Sequence, residues 1–332
     1  MRARALAVAA VLSLVPCVAG ADERDGGAPA AKLTDTAARV VLARFTTSYA
    51  NDAEHKARAS NVELGAEAIN GKVIAAGGTL SFNDAVGERT AAFGYAKSIV
   101  LRDGMIAEGM GGGACQVAST LHAAALLGGL EIVARAPHSR PSAYIRMGLD
   151  ATVALSSTGG PAIDLKVKNP TLVPVTIHAK AARGTLEVWL DGDGATRLDV
   201  TVTSEIVERT TFSRVVERDR HAKEGTVRVK AFGIPGYRVK RTRELRAADG
   251  TVKRDVRIDV YPPTSEIVQV TPSFEESRIR VRPSSGAADE SESAAEESRA
   301  LPATVVIDPT AARPLLVQLR PSTRVELDNS AK

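Results

Sequence analysis

The sequence is poor in aromatic residues and in cysteine. Phe, Trp and Tyr together make up 4% of the 332 residues, and only two cysteines occur. A hydrophobic core must therefore be built mostly from Val, Leu, Ile and Ala. Hydrophobic residues still amount to 44% and charged residues to 25%, which is the composition of a globular protein, and the length predicts two or three domains.

The sequence also lacks a strong excess of one charge. Lys and Arg total 43 and Asp and Glu total 39, which gives a net charge of +4. Arg2 and Arg4 lie in an N-terminal segment without acidic residues, so removing that segment leaves 41 basic residues against 39 acidic ones. This balance is too small to indicate a nucleic-acid partner.

No apolar run in the sequence is long enough to span a bilayer. Residues 5–15 are apolar, follow Arg2 and Arg4, and precede a small-x-small motif that ends at Ala21. This order of features predicts a secretory signal peptide over residues 1–21. We therefore expect an exported protein of the periplasm or cell envelope, with no membrane span after signal removal.

Pro16 and Cys17 bear on two alternatives to a cleaved signal peptide. A lipidated cysteine is expected to follow a small residue, so Pro16 disfavours lipidation of Cys17. Pro16 and the polar flanks also shorten the apolar run, which disfavours an uncleaved membrane anchor. Cys115 is then the only thiol of the mature chain. A lone thiol in an oxidising compartment is either buried or used, and its persistence favours use.

Cys115 lies in a glycine-rich stretch, GMGGGACQVASTLHAAALLGGL (109–130), which predicts a loop followed by a helix over about 115–127. A cysteine in the first turn of a helix faces unpaired backbone N–H groups and the positive end of the helix dipole, and both favour the thiolate. The N–H groups around Gly112 and Gly113 would bind substrate and hold an oxyanion. The alternative is a buried structural cysteine on an Ala/Leu-rich helix.

His138 lies between two prolines in the segment PHSRP (137–141), which is held extended and suits a general base. Beside it, Ser139 and Arg140 are candidates for substrate binding, because an arginine can bind a carboxylate through two hydrogen bonds. Asp150 precedes a predicted strand and would orient a histidine, as the third member of a triad does. Plainer alternatives are that His138 is an exposed loop histidine, that Arg140 is a surface charge and that Asp150 is a turn residue.

No metal ion and no cofactor are expected. The five histidines and the single mature cysteine show no short ligand spacing of the kind found in zinc sites. The glycines lack the Lys-Ser/Thr ending of a phosphate-binding loop and do not fit the G-x-G-x-x-G pattern.

Composition and periodicity predict an α+β protein with several segments after the signal peptide. A polar linker (22–36) leads into a mixed helix and strand domain (37–194). A β-rich accessory domain (197–282) follows, with alternating apolar and charged residues. An acidic segment poor in hydrophobic residues (283–300) is predicted to be disordered, and a tail (301–332) closes the chain.

Within the mixed domain, periodicity predicts a strand over 39–49, a helix over about 51–70 and a loop over 83–95. Further strands are predicted between 151 and 191. The sequence DGDG (191–194) is interpreted as a turn that ends this domain.

Several motifs in order along the chain resemble those of the VanW-like family, named from vancomycin-resistance gene clusters. The resemblance covers under half of the chain, from Arg44 to Gly192, and the accessory segment lies where relatives often carry a G5-like domain. The sequence departs from the family pattern at residues 76–78, at His122 and at residues 146–147. His122 is interpreted as a packing residue. The matching motifs are RFTTSYA (44–50), ING (69–71), LSFNDAVGERT (80–90), GY (94–95), GGGACQVASTLHAAALLGGLEIV (111–133), PHSRP (137–141), GLDATV (148–153) and NPTLVPVTI (169–177).

The resemblance implies a cell-envelope role and L,D-transpeptidase-type cross-linking of peptidoglycan. In that chemistry Cys115 would form a thioester with a stem peptide, His138 would act as base and then acid, and Asp150 would orient the histidine. Arg140 would bind a substrate carboxylate. Two alternatives stay open: a peptidoglycan-binding module without chemistry, in which Cys115 is buried filler, and a cysteine peptidase or amidase that uses water as the acceptor.

Overall fold

The computed structural model describes residues 39–102, 105–156 and 162–274. The predicted signal peptide, the N-terminal linker, the acidic segment and the C-terminal tail lie outside these residues. The described chain has a mixed α/β part followed by an all-β part, which confirms the predicted fold class. Within this part of the chain no helix is long and apolar enough to cross a membrane.

Three helices and nine strands form the mixed part, with 3-10 helices at Ala91–Phe93 and Gly194–Thr196. They are β1 (Arg39–Ser48), α1 (Lys56–Ile69), β2 (Val73–Ile74), β3 (Thr79–Ser81), α2 (Phe82–Val86), β4 (Lys97–Arg102), β5 (Met105–Met110), α3 (Ala114–Leu127), β6 (Glu131–Ala134), β7 (Lys166–Lys168), β8 (Val175–Ala182) and β9 (Thr185–Asp193). The β region that follows comprises β10 (Asp199–Thr210), β11 (Arg214–Arg218), β12 (Val227–Ala231), β13 (Gly236–Arg246), β14 (Val252–Tyr261) and β15 (Glu266–Val270).

The described strands form five sheets. The mixed part contains an antiparallel sheet of order β1-β9-β8-β2, a three-stranded sheet of order β3-β7-β6 and the β4-β5 pair. The β region contains an antiparallel sheet of order β10-β13-β14 and a sheet of order β11-β15-β12. In the last sheet β11 runs parallel to β15.

Helix α3 lies in the core, and all of its residues except Cys115 are buried. One side of the helix packs with residues of β1 and β9, and the other with residues of β10 and β13. Small side chains suit this position because they allow close approach of the layers. Gly128 ends the helix where an added Cβ would lie 2.7 Å from Leu190 Cδ1. The structure confirms the predicted helix and leaves Cys115 as its one partly exposed residue.

The chain between β3 and β4 differs from the loop predicted over 83–95. Helix α2 begins at Phe82, and the Ser81 hydroxyl caps it by accepting a hydrogen bond from the Asp84 N–H at 3.1 Å. A 3-10 helix follows at Ala91–Phe93. The prediction of a loop was wrong because both helices are too short to produce a helical period in the sequence.

The predicted DGDG turn was also wrong. Asp191 to Asp193 belong to β9 and pair with Arg39 to Val41 of β1. Gly192 stands where an added Cβ would lie 2.6 Å from Leu42 Cδ1, so a glycine fits inside the strand. Pairing with the long strand β1 therefore overrides the local turn preference of the sequence.

Candidate active site

A short antiparallel bridge brings His138 and Asp150 together. Ala136 and Thr152 form this bridge, and the Thr152 N–H donates to the Ala136 carbonyl oxygen at 2.9 Å. Continuing the same register by two residues places His138 opposite Asp150. Asp150 Oδ2 accepts a hydrogen bond from the His138 backbone N–H at 2.7 Å and lies 2.8 Å from the ring atom Nδ1. The carboxylate can therefore fix both the backbone and the ring of His138.

The second oxygen of Asp150 is also held. Its Oδ1 atom accepts hydrogen bonds from the Arg135 guanidinium at 2.9 Å, the Tyr261 hydroxyl at 2.5 Å and the Gly148 N–H at 3.2 Å. Burial raises the pKa of Asp150, but the hydrogen bond with His138 and the charge of Arg135 outweigh burial and hold the pKa well below its usual range. Asp150 is therefore an ionised carboxylate at neutral pH, although it is buried.

The Cys115 sulfur and the His138 ring interact electrostatically, and each shifts the pKa of the other. Because Nδ1 is engaged by Asp150, Nε2 is the ring atom left to interact with the sulfur, and the Tyr144 hydroxyl also lies 3.3 Å from it. The Val153 N–H also donates to the sulfur at 3.5 Å. The structure thus places Cys115, His138 and Asp150, the three residues predicted to be catalytic, in one connected group.

The surroundings of this group favour a thiolate–imidazolium pair. Burial raises the pKa of the Cys115 thiol, but the hydrogen bond and the charge of His138 lower it more, with help from Val153 and Arg89, so the pKa lies below its usual value. Burial lowers the pKa of His138, and hydrogen bonds with Asp150 and Cys115 raise it to about 9. A thiolate beside a protonated histidine is the reactive form of a cysteine nucleophile.

The glycines before α3 pack closely against their neighbours. A Cβ on Gly112 would lie 2.4 Å from a backbone oxygen of β4, and one on Gly113 would lie 2.7 Å from Val62 Cγ2. The Gly112 carbonyl oxygen accepts a hydrogen bond from Asn61 Nδ2 at 3.0 Å. By contrast, the N–H groups of Gly112, Gly113 and Cys115 donate to no acceptor within the described chain. These donors remain free to bind an oxyanion next to the sulfur.

Two arginines that sequence analysis did not single out, Arg58 and Arg89, act electrostatically on Cys115. Arg58 donates to Gln116 Oε1 at 2.9 Å, and Arg89 donates to Asn83 Oδ1. The Arg89 Nε atom is buried and has no hydrogen-bond partner among residues the structure describes. Burial lowers the pKa of each arginine, and the negative charge of Cys115 acts against that effect. Arg89 lies within a family motif (80–90), and this position was the one feature of the sequence that could have marked it as a site residue.

Tyr144 covers His138 from the side opposite Asp150. Its hydroxyl lies 3.3 Å from His138 Nε2, and the two rings meet edge to face with centres 6.2 Å apart. The Arg58 guanidinium carbon lies 5.8 Å from the centre of the Tyr144 ring. Burial and the charge of Cys115 raise the pKa of Tyr144, so its hydroxyl is protonated at neutral pH. The tyrosine lies in an irregular segment, and no pattern in the sequence marked it.

The other predicted site residues lie apart from these contacts. Ser139 and Arg140 make no hydrogen bond or ion pair with the described residues, and burial lowers the pKa of the half-buried Arg140 guanidinium. His122 is fully buried, its Nδ1 atom lies 2.7 Å from the Leu149 carbonyl oxygen, and burial together with the charge of Arg135 lowers its pKa to about 3. It is a neutral packing residue, as interpreted.

Two surface cavities lie away from the triad. One, of about 420 Å³, is lined by Arg209, Thr211, Phe212 and Pro235 of the β region, and a second, of about 220 Å³, lies between Glu131 and the β10-β13-β14 sheet. Neither is lined by Cys115, His138 or Asp150. Among residues covered by the structure, no three His, Cys, Asp or Glu side chains converge as metal ligands.

Comparison with known proteins identifies the family of the mixed domain. The family model described as "VanW like protein" matches residues 57–190, which confirms the resemblance. "Uncharacterized protein YoaR" of Bacillus subtilis (strain 168) is 39% identical over 149 residues, which are 45% of this chain and 47% of that protein. The chain thus spans about half the length of this relative.

Solved structures of G5 domains are similar to about a fifth of the chain. The "IgA1 Protease G5 domain structure" is 23% identical and covers 23% of this chain and 94% of its own, with a TM-score of 0.17. The "Crystal structure of HP0197-G5" is 18% identical and covers 21% of this chain and 96% of its own, with a TM-score of 0.14.

Proposed function

We propose that the VanW-like domain over residues 57–190 catalyses cysteine-dependent acyl transfer on the stem peptides of peptidoglycan. The observation that carries this proposal is the connected group of Cys115, His138 and Asp150, in which the thiolate is the favoured form of the cysteine. A cysteine with only a packing role has no need of a histidine partner that is itself held by a buried carboxylate.

In the first step, the Cys115 thiolate attacks a peptide carbonyl carbon, and the carbonyl electron pair moves to oxygen. The free N–H groups of Gly113 and Cys115 stabilise the resulting oxyanion. When the intermediate collapses, the carbonyl re-forms and the C–N bond breaks. The proton on His138 Nε2 passes to the leaving amine, which leaves a thioester on Cys115 and a neutral imidazole.

In the second step, an acceptor amine attacks the thioester carbonyl. Neutral His138 accepts a proton from the attacking amine, and the C–S bond then breaks. The product is a new amide, and the thiolate–imidazolium pair is restored. Asp150 stays ionised throughout and holds the ring so that Nε2 faces the sulfur.

Arg58 and Arg89 are suited to bind an anionic group of the donor peptide. Both are largely withdrawn from solvent, and neither forms an ion pair with an Asp or Glu among the described residues. A guanidinium in such surroundings binds a carboxylate strongly, since charge-assisted hydrogen bonds are the stronger class. Stem peptides carry carboxylates, so this pair of arginines takes the role predicted for Arg140.

The choice of peptidoglycan rests on two further observations. The N-terminal sequence has the features of a secretory signal peptide, which would deliver the chain to the periplasm or cell envelope. The second is membership of this domain in the VanW-like family, whose resemblance implies a cell-envelope role and so supports the same choice. An exported acyltransferase with a carboxylate-binding site would meet peptidoglycan stem peptides as its substrate.

A peptidase or amidase would use the same nucleophile with water as the acceptor. A binding module without chemistry would have Cys115 as buried filler. The binding module is the less favoured alternative because Cys115 is the one residue of α3 that is not buried. It also gives no role to the mutual pKa effects of Cys115 and His138, which support the catalytic proposal.

Mass spectrometry of the mature protein with a peptidoglycan tetrapeptide fragment and an acceptor amine tests the proposal. We expect a covalent adduct on Cys115 and an amine-exchanged peptide, both absent in Cys115→Ala. Ser119→Ala, one turn further along α3, is the matched control and retains the adduct. Hydrolysed peptide as the only product would convert the assignment to a peptidase. Binding of the wild-type protein to sacculi with neither adduct nor product would refute acyl transfer.

A further inference from the structure

The carboxylate that orients His138 is also bound by residues of the β region. Tyr261, the last residue of β14, donates its hydroxyl hydrogen to Asp150 Oδ1 at 2.5 Å. The same hydroxyl oxygen accepts a hydrogen bond from the Gly148 N–H at 2.7 Å. Tyr261 is buried, and burial and the Asp150 charge raise its pKa, so it remains a donor at neutral pH.

Asp259, two residues before Tyr261, reaches the same group through Arg135. One guanidinium nitrogen of Arg135 donates to Asp259 Oδ1 at 2.5 Å, and another donates to Asp150 Oδ1 at 2.9 Å. The side chains of Arg135 and Asp259 are fully buried. Asp259 Oδ2 has no hydrogen-bond partner within the described chain, and Oδ1 also lies 3.4 Å from Arg257 Nε, so Arg135 is the closer of two cations that compensate its charge.

We propose that the β region is part of the active site and that Tyr261 and Asp259 are positioning residues for Asp150. Tyr261 restrains the plane of the Asp150 carboxylate, so that Oδ2 stays within reach of His138 Nδ1. Asp259 offsets the positive charge of Arg135, which would otherwise compete with His138 for the same carboxylate. The inference rests on the proposed role of Cys115 as a nucleophile.

The effect on the thiol follows from the chain of contacts. Without the Tyr261 hydroxyl, Asp150 Oδ1 retains Arg135 and the Gly148 N–H, and the carboxylate can rotate towards them. Its contact with His138 then weakens, and the imidazolium loses the partner that raises its pKa. Because His138 stabilises the thiolate, the pKa of Cys115 must rise.

The chain offers a matched control for this substitution. Tyr237 of β13 pairs directly with Tyr261 of β14 and belongs to the same buried cluster. The charge that acts on its hydroxyl is that of Arg209, and Asp150 has no part in it. Tyr237→Phe therefore removes the same atom from the same sheet without touching the triad.

The test measures the rate at which iodoacetamide alkylates Cys115 from about pH 5 to about pH 10 in the full mature chain. We expect the midpoint of the wild-type profile to lie below that of free cysteine, and Tyr261→Phe to raise it by about one unit, which is about tenfold slower alkylation on the acid side. Tyr237→Phe should give the wild-type profile. Asp259→Asn, which keeps the size of the side chain, should shift the midpoint in the same direction as Tyr261→Phe.

Two results would overturn the inference in distinguishable ways. If the wild-type midpoint lies low and the profiles of Tyr261→Phe and Asp259→Asn coincide with that of Tyr237→Phe, the β region does not position the triad, while the proposed function stands. If the wild-type midpoint equals that of free cysteine, the proposed function and the inference both fail. Thermal unfolding identifies a variant that does not fold, and the other positioning variant then decides the result.

Discussion

Helix α3 is covered by two surfaces of different character. The β1-β9-β8-β2 sheet meets it with aliphatic side chains such as Val188 and Leu190, which are fully buried. The β10-β13-β14 sheet contributes apolar residues such as Val200 but also buries Arg243 and Asp259. The first surface adds only neutral polar contacts such as Thr47 with Thr120 of α3 at 2.9 Å, whereas the second also buries charge, which is costly unless each charge is paired.

The charged residues of the second surface have specific partners on the mixed domain. Arg243 donates to the Leu130 carbonyl oxygen at 2.8 Å, just beyond the end of α3, where a positive charge is favoured by the helix dipole. Asp259 pairs with Arg135, next to the triad. The first surface therefore packs against α3 without charge, and the charged surface reaches Arg135 beside the loop that carries His138.

Replacing His138 should have the largest effect on activity, because it removes the base that acts directly on Cys115. The change lies within the mixed domain and leaves the β region intact. In His138→Ala, burial acts on the Cys115 thiol without its main opposing interaction, so the thiol pKa should rise and acyl transfer should fall by about 10²- to 10⁴-fold. Alkylation profiles and product assays measure the two effects. His122→Asn, a change of a buried histidine in the same helix as the nucleophile, is the comparison. Equal thiol reactivity in His138→Ala and wild type would show that the histidine does not activate Cys115.

Asp150→Asn breaks the contact that the two regions share. The amide preserves the shape of the side chain but leaves the buried Arg135 with Asp259 as its sole carboxylate partner, which should cost about 3 kcal/mol of unfolding free energy. Glu244→Gln removes an exposed pair with Arg254 in the β region and should cost less than about 1 kcal/mol. Urea denaturation gives both values. A smaller loss for Asp150→Asn than for Glu244→Gln would contradict the assignment of Asp150 as the shared contact.

More could be predicted from the sequence about Cys115 and His138 than about the residues that position them. The Ala/Leu run and the flanking glycines predicted α3, and the two prolines marked His138. The bridge between Ala136 and Thr152 that brings His138 to Asp150 has no periodic pattern, so it could not be predicted. Tyr261 lies more than a hundred residues from Asp150, and only tertiary packing brings the two together.

The arginines proposed to bind substrate differ from the arginine predicted from the sequence for a related reason. Arg140 is close to His138 in sequence, and that proximity suggested a role in binding. Arg58 lies on α1 and Arg89 follows α2, so their convergence on Cys115 depends on how the helices pack. Local sequence identifies reactive residues, whereas the groups that surround them come from distant elements.

The arginines provide a smaller effect that distinguishes binding from chemistry. Arg89→Gln and Arg58→Gln each remove a charge that would bind the donor carboxylate, so KM for the donor should rise about tenfold. Thiol reactivity should change little in Arg58→Gln, whereas Arg89→Gln also removes a charge that lowers the pKa of Cys115. Arg140→Gln changes an arginine near His138 that has no hydrogen bond or ion pair with the residues the structure describes, and it should leave KM unchanged. Steady-state kinetics with a carboxylate donor and its amidated counterpart measure the effect. An equal response of Arg140→Gln and Arg89→Gln would reverse this assignment.

The smallest effect concerns stability near neutral pH. The raised pKa of His138 adds stability that is full below about 6.5 and is lost as the pH rises towards about 9. The lowered pKa of Cys115 adds stability that is lost as the pH falls below its unfolded value of about 8.5. Between about 6.5 and about 8.5 the two contributions to the slope of unfolding free energy against pH have opposite signs. This is because folding moves one proton from sulfur to imidazole without net release. The contribution of the pair to the unfolding free energy should therefore be almost constant there.

Cys115→Ala removes the contribution of the thiol to the pH dependence of stability and leaves that of His138. Stability of this variant should fall as the pH rises above about 6.5, by at most about 1.4 kcal/mol per pH unit, while the wild type stays level. The comparison isolates the Cys115–His138 pair, since the pKa values of Asp150 and Arg135 are displaced away from neutrality and those groups do not titrate in this range. Urea midpoints measured across the range decide the question. Parallel curves for the two proteins would mean that Cys115 and His138 do not exchange a proton on folding, and that the charges shared with the β region dominate the electrostatics of the site.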